Sequence, residues 1–486
     1  MPSFASPVTA APDPRRWKAL GLVCAAFFMT ILDVSIVNVA LPSIGRALHF
    51  TRDNLQWVIT MYAITFGGFL LLGGRAADLL GRRRIFMSGL VLFTASSLAC
   101  GLATSESFLI VARGFQGLGA AIVSPAVLSI IMTLFEEGPE RNKALGIYGA
   151  VGGSGAAVGV IAGGILTKFL GWEWIFFVNV PVGAACLALT LRLVSESRPD
   201  LGHRNYDVPG AVTITSALIL LVYAVSKAPS VGWASTRTIV LLIVSAALTS
   251  LFLAIEARSP HALMPLGIFR GRLIAAANAV GFLLGGAIFG SFFLLTLYMQ
   301  NVLGYSALQA GVAFLATAGT AVFAAGAAQA LVTRMGAKPV LATGMGLLAF
   351  GQIWYTQISP HGSYVVDLLP GYVATGVGIA FAFVPVSIAA LAGVAHNEAG
   401  LASGLINTSQ QIGGAIGTAI VSTVAFSHIK ALQAAGVSGR DALTSGYSRG
   451  FWFGFAVAAA GAVATLLFVR RQDVPAEETE TAGAIA

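Results

Sequence analysis

Charge is what this 486-residue chain has least of: Asp, Glu, Lys and Arg make up 10% of it, against 57% hydrophobic residues. A mean hydropathy of +0.84 excludes a soluble globular protein, because no core of this length could hide so much apolar surface. Cysteine is nearly absent too. Cys24, Cys100 and Cys186 lie within apolar stretches at spacings that match no ligand pattern, which excludes a disulfide framework and a cysteine-held metal. The histidines (His49, His203, His261, His361, His396, His428) fall in or beside connecting segments, so neither an intramembrane histidine relay nor a metal centre is expected. No GxxxxGK[ST] run is present, so no ATP-driven engine is visible, and no enzyme or cofactor is expected. The net charge of +8 would point to nucleic acid in a soluble protein; here the basic residues sit in joints between apolar runs and read as topology signals.

What the chain has in abundance is apolar runs of membrane length. A bilayer is crossed by about 20 mostly apolar residues, and fourteen such runs follow one another, from 19–41 to 450–469. The first, from Trp17 to Leu41, is too long for a signal-peptide core. This predicts an all-α polytopic membrane protein with both ends on one side. Placing that side in the cytoplasm gives the inner joints nineteen lysines and arginines and the outer joints eight. Both termini are therefore expected in the cytoplasm, and the abundance of Ala and Gly points to a bacterial cell membrane.

The basic joint GRAADLLGRRR (Gly74 to Arg84) after the second run has a faint copy, VTRMGAK (Val332 to Lys338), after the tenth. Such internal repeats mark transporters built from two similar halves. The order reads as a tail at 1–16, a six-helix bundle at 17–193, a two-helix insert with linkers at 194–272, a second six-helix bundle at 273–470 and a disordered acidic tail at 471–486. The longest connections are expected around Arg198 and from His428 to Arg449.

Two charges lie well inside the runs: Asp33 in LDVSIVNVALP and Arg113 in IVARGFQGLGAA. Each costs about 3 kcal/mol at bilayer depth, so each marks a functional site or a structural ion pair. Helical spacing puts Arg113, Gln116, Gly117, Ala120 and Ser124 on one face. Gly155, Gly159 and Gly163, with Gly164 beside them, form a ladder on which a neighbouring helix can pack. At the basic joint, Asp78 and Arg82, Arg83 and Arg84 bracket Gly81, where opposite charges can exchange partners. Asn38, Tyr62, Gln116, Asn278, Asn407 and Gln411 are polar or aromatic positions within spans; they either line a substrate path or bridge helices.

LDVSIVNVALP, GRAADLLGRRR, ARGFQGLGAA and the glycine ladder, taken together, resemble the fourteen-span drug:proton antiporter branch of the major facilitator superfamily, over about residues 17–470. The resemblance implies a major-facilitator fold, two six-helix bundles plus two inserted helices, that exports hydrophobic drugs, dyes or antibiotics against protons by alternating access. It implies that Asp33 carries the proton and Arg113 tunes it, that Asp78 and Arg82 to Arg84 about Gly81 gate the inner mouth, and that the glycine ladder is a helix contact. The family's ladder has the form GxxxGPxxGG; here Val160 stands in place of the proline. The implied partners are a hydrophobic small molecule, protons and the lipid bilayer, with no nucleic acid, and a monomer driven by the proton gradient. A proton-coupled nutrient symporter and a non-transporting membrane receptor are the alternatives.

Overall fold

The computed structural model describes residues 14–50, 52–197, 207–259, 262–392, 394, 398–437 and 439–469. The tail expected at 471–486, most of the one at 1–16, and the linker around Arg198 lie outside the described residues.

Fourteen long helices account for nearly all of the described chain. The first six are α1 (Arg16–Ala47), α2 (Trp57–Leu80), α3 (Arg82–Gly101), α4 (Glu106–Leu134), α5 (Pro139–Phe169) and α6 (Trp174–Leu193). Two follow as α7 (Val208–Val231) and α8 (Thr236–Glu256). The last six are α9 (Arg272–Asn301), α10 (Leu308–Met335), α11 (Ala337–Tyr355), α12 (Tyr364–Leu391), α13 (Ala399–Ala434) and α14 (Gly439–Phe468). Twelve of these are long and apolar enough to cross a membrane, and α5 and α11 complete the set of fourteen. Helix is what an apolar solvent demands, since each segment satisfies its own backbone N–H and C=O groups.

The packing repeats with a shift of eight helices. In the first bundle α1 packs on α5 and α6, α2 on α4, and α3 on α4 and α6. In the second α9 packs on α13 and α14, α10 on α12, and α11 on α12 and α14. The chain is thus two bundles of six with α7 and α8 between them in sequence. The repeated basic joints also coincide in geometry: each is a single glycine, Gly81 (φ 104°) and Gly336 (φ 82°), in a region of backbone space that residues with a Cβ avoid.

The bundles meet along two seams. On one, α5 lies against α10 and α12; on the other, α2 and α4 lie against α13. The inserted α7 closes part of the second seam, packing on both α2 and α13, and Trp233 just beyond it donates to Thr423 Oγ1 at 2.7 Å. Helix α8 packs on α7, with Ile239, Val240 and Ile243 exposed, which suits a helix facing lipid.

One expected connection is shorter than the sequence indicates. Instead of a loop from His428 to Arg449, α13 continues to Ala434 and α14 begins at Gly439. The segment HIKALQAA is made of good helix formers, so the helix outruns the apolar stretch.

Candidate functional site

The two deep charges meet. Asp33 on α1 and Arg113 on α4 are 0% and 1% exposed, and Arg113 Nη1 donates to Asp33 Oδ2 at 2.5 Å. The same nitrogen donates to Gln116 Oε1 at 2.7 Å, and Nε donates to the Val58 carbonyl at 3.0 Å. The other carboxylate oxygen, Asp33 Oδ1, accepts from Gln116 Nε2 (2.8 Å) and from Asn179 Nδ2 (3.1 Å). Ser97 Oγ on α3 accepts from both amides, at 3.1 and 3.0 Å, and donates to the Phe176 carbonyl at 2.9 Å. The guanidinium carbon stands 4.3 Å from the centre of the Tyr62 ring. Five helices of the first bundle therefore converge on one buried ion pair with every oxygen of the carboxylate occupied.

Of the two readings open for Tyr62 and Gln116, a substrate path or a bridge between helices, the second describes where they sit, inside this cluster. Both are buried, Tyr62 under the guanidinium with its hydroxyl donating to the Thr30 carbonyl, so neither presents a surface to a ligand. Asn179 and Ser97 were not anticipated. Asn179 reaches the cluster from near the start of α6, just before Pro181, which lacks the N–H that would bond the Phe177 carbonyl. The sequence did carry a signal, a lone amide in the apolar run WIFFVNVP.

A second ionic assembly joins the two bundles at the end that carries the basic joints. Asp78, 0% exposed near the end of α2, accepts from the backbone nitrogens of Gly400 (to Oδ1) and Leu401 (to Oδ2), both at 2.9 Å. These are free donors in the first turn of α13, where a carboxylate also meets the positive end of the helix dipole. Arg82 Nη2 donates to the same Asp78 Oδ1 at 3.4 Å. The approach is backbone to backbone: a Cβ on Gly74 would overlap the Gly400 carbonyl, and one on Gly400 would overlap that of Gly74. The three arginines part company here. Arg82 is buried with Asp78, whereas Arg83 and Arg84 turn to Glu196 after α6, within their own bundle, at 3.9 and 3.7 Å.

The glycine ladder faces α1. A Cβ on Gly155 would lie 2.6 Å from Ile31 Cγ2, one on Gly159 would overlap Ser35 Oγ and lie 2.8 Å from the Leu32 carbonyl, and one on Gly163 would lie 2.7 Å from the Ile36 carbonyl. The ladder thus brackets Asp33 from below and above. Gly164 looks the other way, across the seam to Leu308 at 2.8 Å. Val160 faces Gly311 across that same seam.

Of the remaining polar positions, Asn278 accepts from Ser409 Oγ at 2.9 Å and ties α9 to α13; Asn407 accepts from Ser124 Oγ at 3.4 Å and ties α13 to α4 across the bundles. Both bridge helices. Asn38 is exposed, with its amide donating to the Val34 carbonyl, and Gln411 is half-buried, so these two keep open polar surface.

Residues 23–418 match the Major Facilitator Superfamily. The puromycin resistance protein pur8 of Streptomyces alboniger is 38% identical over 97% of this chain and 95% of its own. The cephamycin export protein CmcT of Amycolatopsis lactamdurans is 39% identical over 84% of each chain, and the multidrug resistance protein Stp of Mycobacterium tuberculosis is 37% identical over 84% of this chain and 76% of its own. Among solved structures, the human organic anion transporter MFSD10 superposes with a TM-score of 0.63 over 92% of this chain and 100% of its own, at 16% identity, a likeness of fold.

Proposed function

The chain belongs to the major facilitator superfamily, and on that premise we propose that it exports hydrophobic small molecules, drugs or antibiotics among them, in exchange for protons by alternating access. The observation that carries this reading is the buried Asp33–Arg113 pair. A pair held only for stability would be replaced by apolar side chains at little cost or a gain, whereas a carrier needs one carboxylate whose proton comes and goes. One proton moving through ~150 mV releases ~3.5 kcal/mol, enough for a concentration ratio of a few hundred.

The basic end is read as cytoplasmic, so the contact of Asp78 with the Gly400 and Leu401 nitrogens is taken as the inner latch. Opening inward requires Asp78 to leave Gly400 and Leu401; opening outward lets water reach Asp33 from the other side. The glycine ladder keeps α1 close to α5, so that a change at Asp33 is felt along the seam that α5 makes with α10. Export rather than nutrient uptake is favoured by the names of the relatives, which speak of resistance and export.

Accumulation in cells separates these readings. Cells producing the protein should hold less of an exported dye or antibiotic than cells without it, and the difference should vanish with an uncoupler and with Asp33→Asn. Higher accumulation would identify an importer, and no dependence on the protonmotive force would remove the proton from the mechanism.

A further inference from the structure

Every group that touches Asp33 among the described residues is a hydrogen-bond donor: Arg113 on Oδ2, and Gln116 and Asn179 on Oδ1. This shell suits a carboxylate. It offers nothing to a carboxylic acid, whose new O–H would point at an N–H. A residue that carries protons must be accommodated in both forms, so at least one neighbour has to change from donor to acceptor.

Three candidates exist, and two are fixed. Arg113 has no acceptor to offer. Gln116 has one, Oε1, but it is taken by Arg113 Nη1 at 2.7 Å and by Cys100 Sγ at 3.5 Å, so turning the amide over would present its NH2 group to a guanidinium. Ser97 cannot substitute for either, because its Oγ does not touch Asp33 and its hydrogen is given to the Phe176 carbonyl. That leaves Asn179. Its Nδ2 donates to Asp33 Oδ1 and to Ser97 Oγ, while its Oδ1 accepts no hydrogen bond among the described residues.

We propose that Asn179 is the two-way partner of Asp33: its amide donates to the carboxylate as seen here, and turned over about its last side-chain bond it accepts from the carboxylic acid. This deepens the reading of Asp33 as proton carrier and rests on it. The turn moves no proton itself. A proton from water on the open face binds Asp33 Oδ1, the Asn179 carbonyl receives the resulting O–H, and Ser97 redirects its hydroxyl from the Phe176 carbonyl to the Asn179 oxygen that now faces it. Loss of the proton to water on the other face reverses each step. Gln116 keeps its orientation throughout, held by Arg113. Asn179 is a positioning residue in this scheme; Asp33 alone binds the transported proton.

Infrared difference spectra of the purified protein in lipid nanodiscs, taken between alkaline and acid pH, test this without a substrate. A carboxylic C=O band that disappears in Asp33→Asn belongs to Asp33. With the wild-type protein, that band should be accompanied by a shifted side-chain amide band that is lost in Asn179→Leu, which has the same branching but no polar atom. In Asn179→Leu the Asp33 band should itself move, and its midpoint should shift to about tenfold lower proton concentration, because the charge-assisted bond lost by the carboxylate outweighs the neutral one lost by the acid. Asn179→Thr, whose hydroxyl can donate and accept, should restore the wild-type midpoint and serves if the leucine variant does not fold. An Asp33 band with the same position and midpoint in wild type, Asn179→Leu and Asn179→Thr would overturn the role of Asn179 while leaving Asp33 as the carrier. Absence of any Asp33 band over the whole pH range would instead remove Asp33 from proton transport.

Discussion

Asp78 caps a helix that belongs to the other half of the molecule: its two carboxylate oxygens take the Gly400 and Leu401 N–H groups, 322 and 323 residues away in sequence. The bundles are therefore joined at this end by a carboxylate on backbone, with Gly74 and Gly400 allowing the chains to touch. Such a contact is made or lost as a whole, which is what a latch between two rigid bodies requires.

Asp78→Asn should loosen it. The amide keeps one acceptor and loses the charge that meets the helix terminus, a loss of about 1–2 kcal/mol, so the open arrangement should gain about 5- to 30-fold in population. Spin labels at Arg84 and Lys338 on the basic ends of the two bundles would report it as a new long component in their distance distribution; an unchanged distribution would mean that the cap does not hold the bundles together.

The Asp33–Arg113 pair makes a stability prediction of its own. Arg113→Met leaves a buried carboxylate without its cation and should lower stability by about 3–5 kcal/mol, whereas Asp33→Asn combined with Arg113→Met removes both charges and should recover most of that loss without recovering transport. Thermal unfolding of the purified variants, followed by tryptophan fluorescence, is the measurement. Equal unfolding temperatures for the single and double variants would show that the charges do not depend on each other.

How far the sequence reveals these features depends on what kind of partner each residue has. Asp33 and Arg113 stand out because a charge in an apolar run is costly wherever it points, and the glycine ladder stands out because its spacing is a property of one helix. Tyr62 and Gln116 do not: a polar side chain at mid-span reads the same whether it faces a ligand or an ion pair, and only the packing of α2 and α4 places these two in the cluster. Asp78 was legible as a charge near a turn, but its partners are backbone groups, which leave no mark on composition. The extent of α13 was hidden for another reason, since apolar runs report the membrane and not the helix.

Gly159 and Gly326 stand at opposite extremes of the room they leave for a side chain. Gly159→Ala already places a methyl group against Ser35 Oγ and 2.8 Å from the Leu32 carbonyl, so it should push α1 from α5 and reduce transport, and Gly159→Leu should do so more severely. Gly326→Ala, on an exposed stretch of α10 with nothing within 4 Å, should be neutral or stabilise by about 0.5–1 kcal/mol. Transport rates normalised to the amount of protein in the membrane compare the two; equal activity in Gly159→Leu would mean that the ladder does not bear on the α1–α5 contact.

Topology is checked at the far end of the chain. The excess of basic residues on one set of joints predicts that a reporter fused after Ala486 is active only in its cytoplasmic form. A periplasmic signal would reverse the assignment of the Asp78 latch to the inner mouth.

The last prediction concerns charge on the cargo. In a low-dielectric cavity a dication is best held by two carboxylates, because one leaves a net charge whose desolvation costs several kcal/mol. The buried acids among the described residues are Asp33, Asp78 and Glu256. Asp33 is engaged on both oxygens by Arg113, Gln116 and Asn179; Asp78 is engaged by Gly400, Leu401 and Arg82 at the basic end; and Glu256 ends the lipid-facing α8, where it accepts from the Met264 nitrogen. None of the three lies in α9–α14, the half that would supply the opposing wall of a central cavity. Asp367, on α12, is bound by the Ser359 and Ser363 nitrogens in the turn that begins that helix. Neutral or singly charged lipophilic compounds should therefore be exported several-fold better than rigid dications of similar size, measured side by side as resistance and as efflux from the same cells. Robust resistance to dicationic biguanides or diamidines, with none to monocationic dyes or neutral antibiotics, would require a second acidic group in the cavity, and loss of that resistance in Asp367→Asn would locate it.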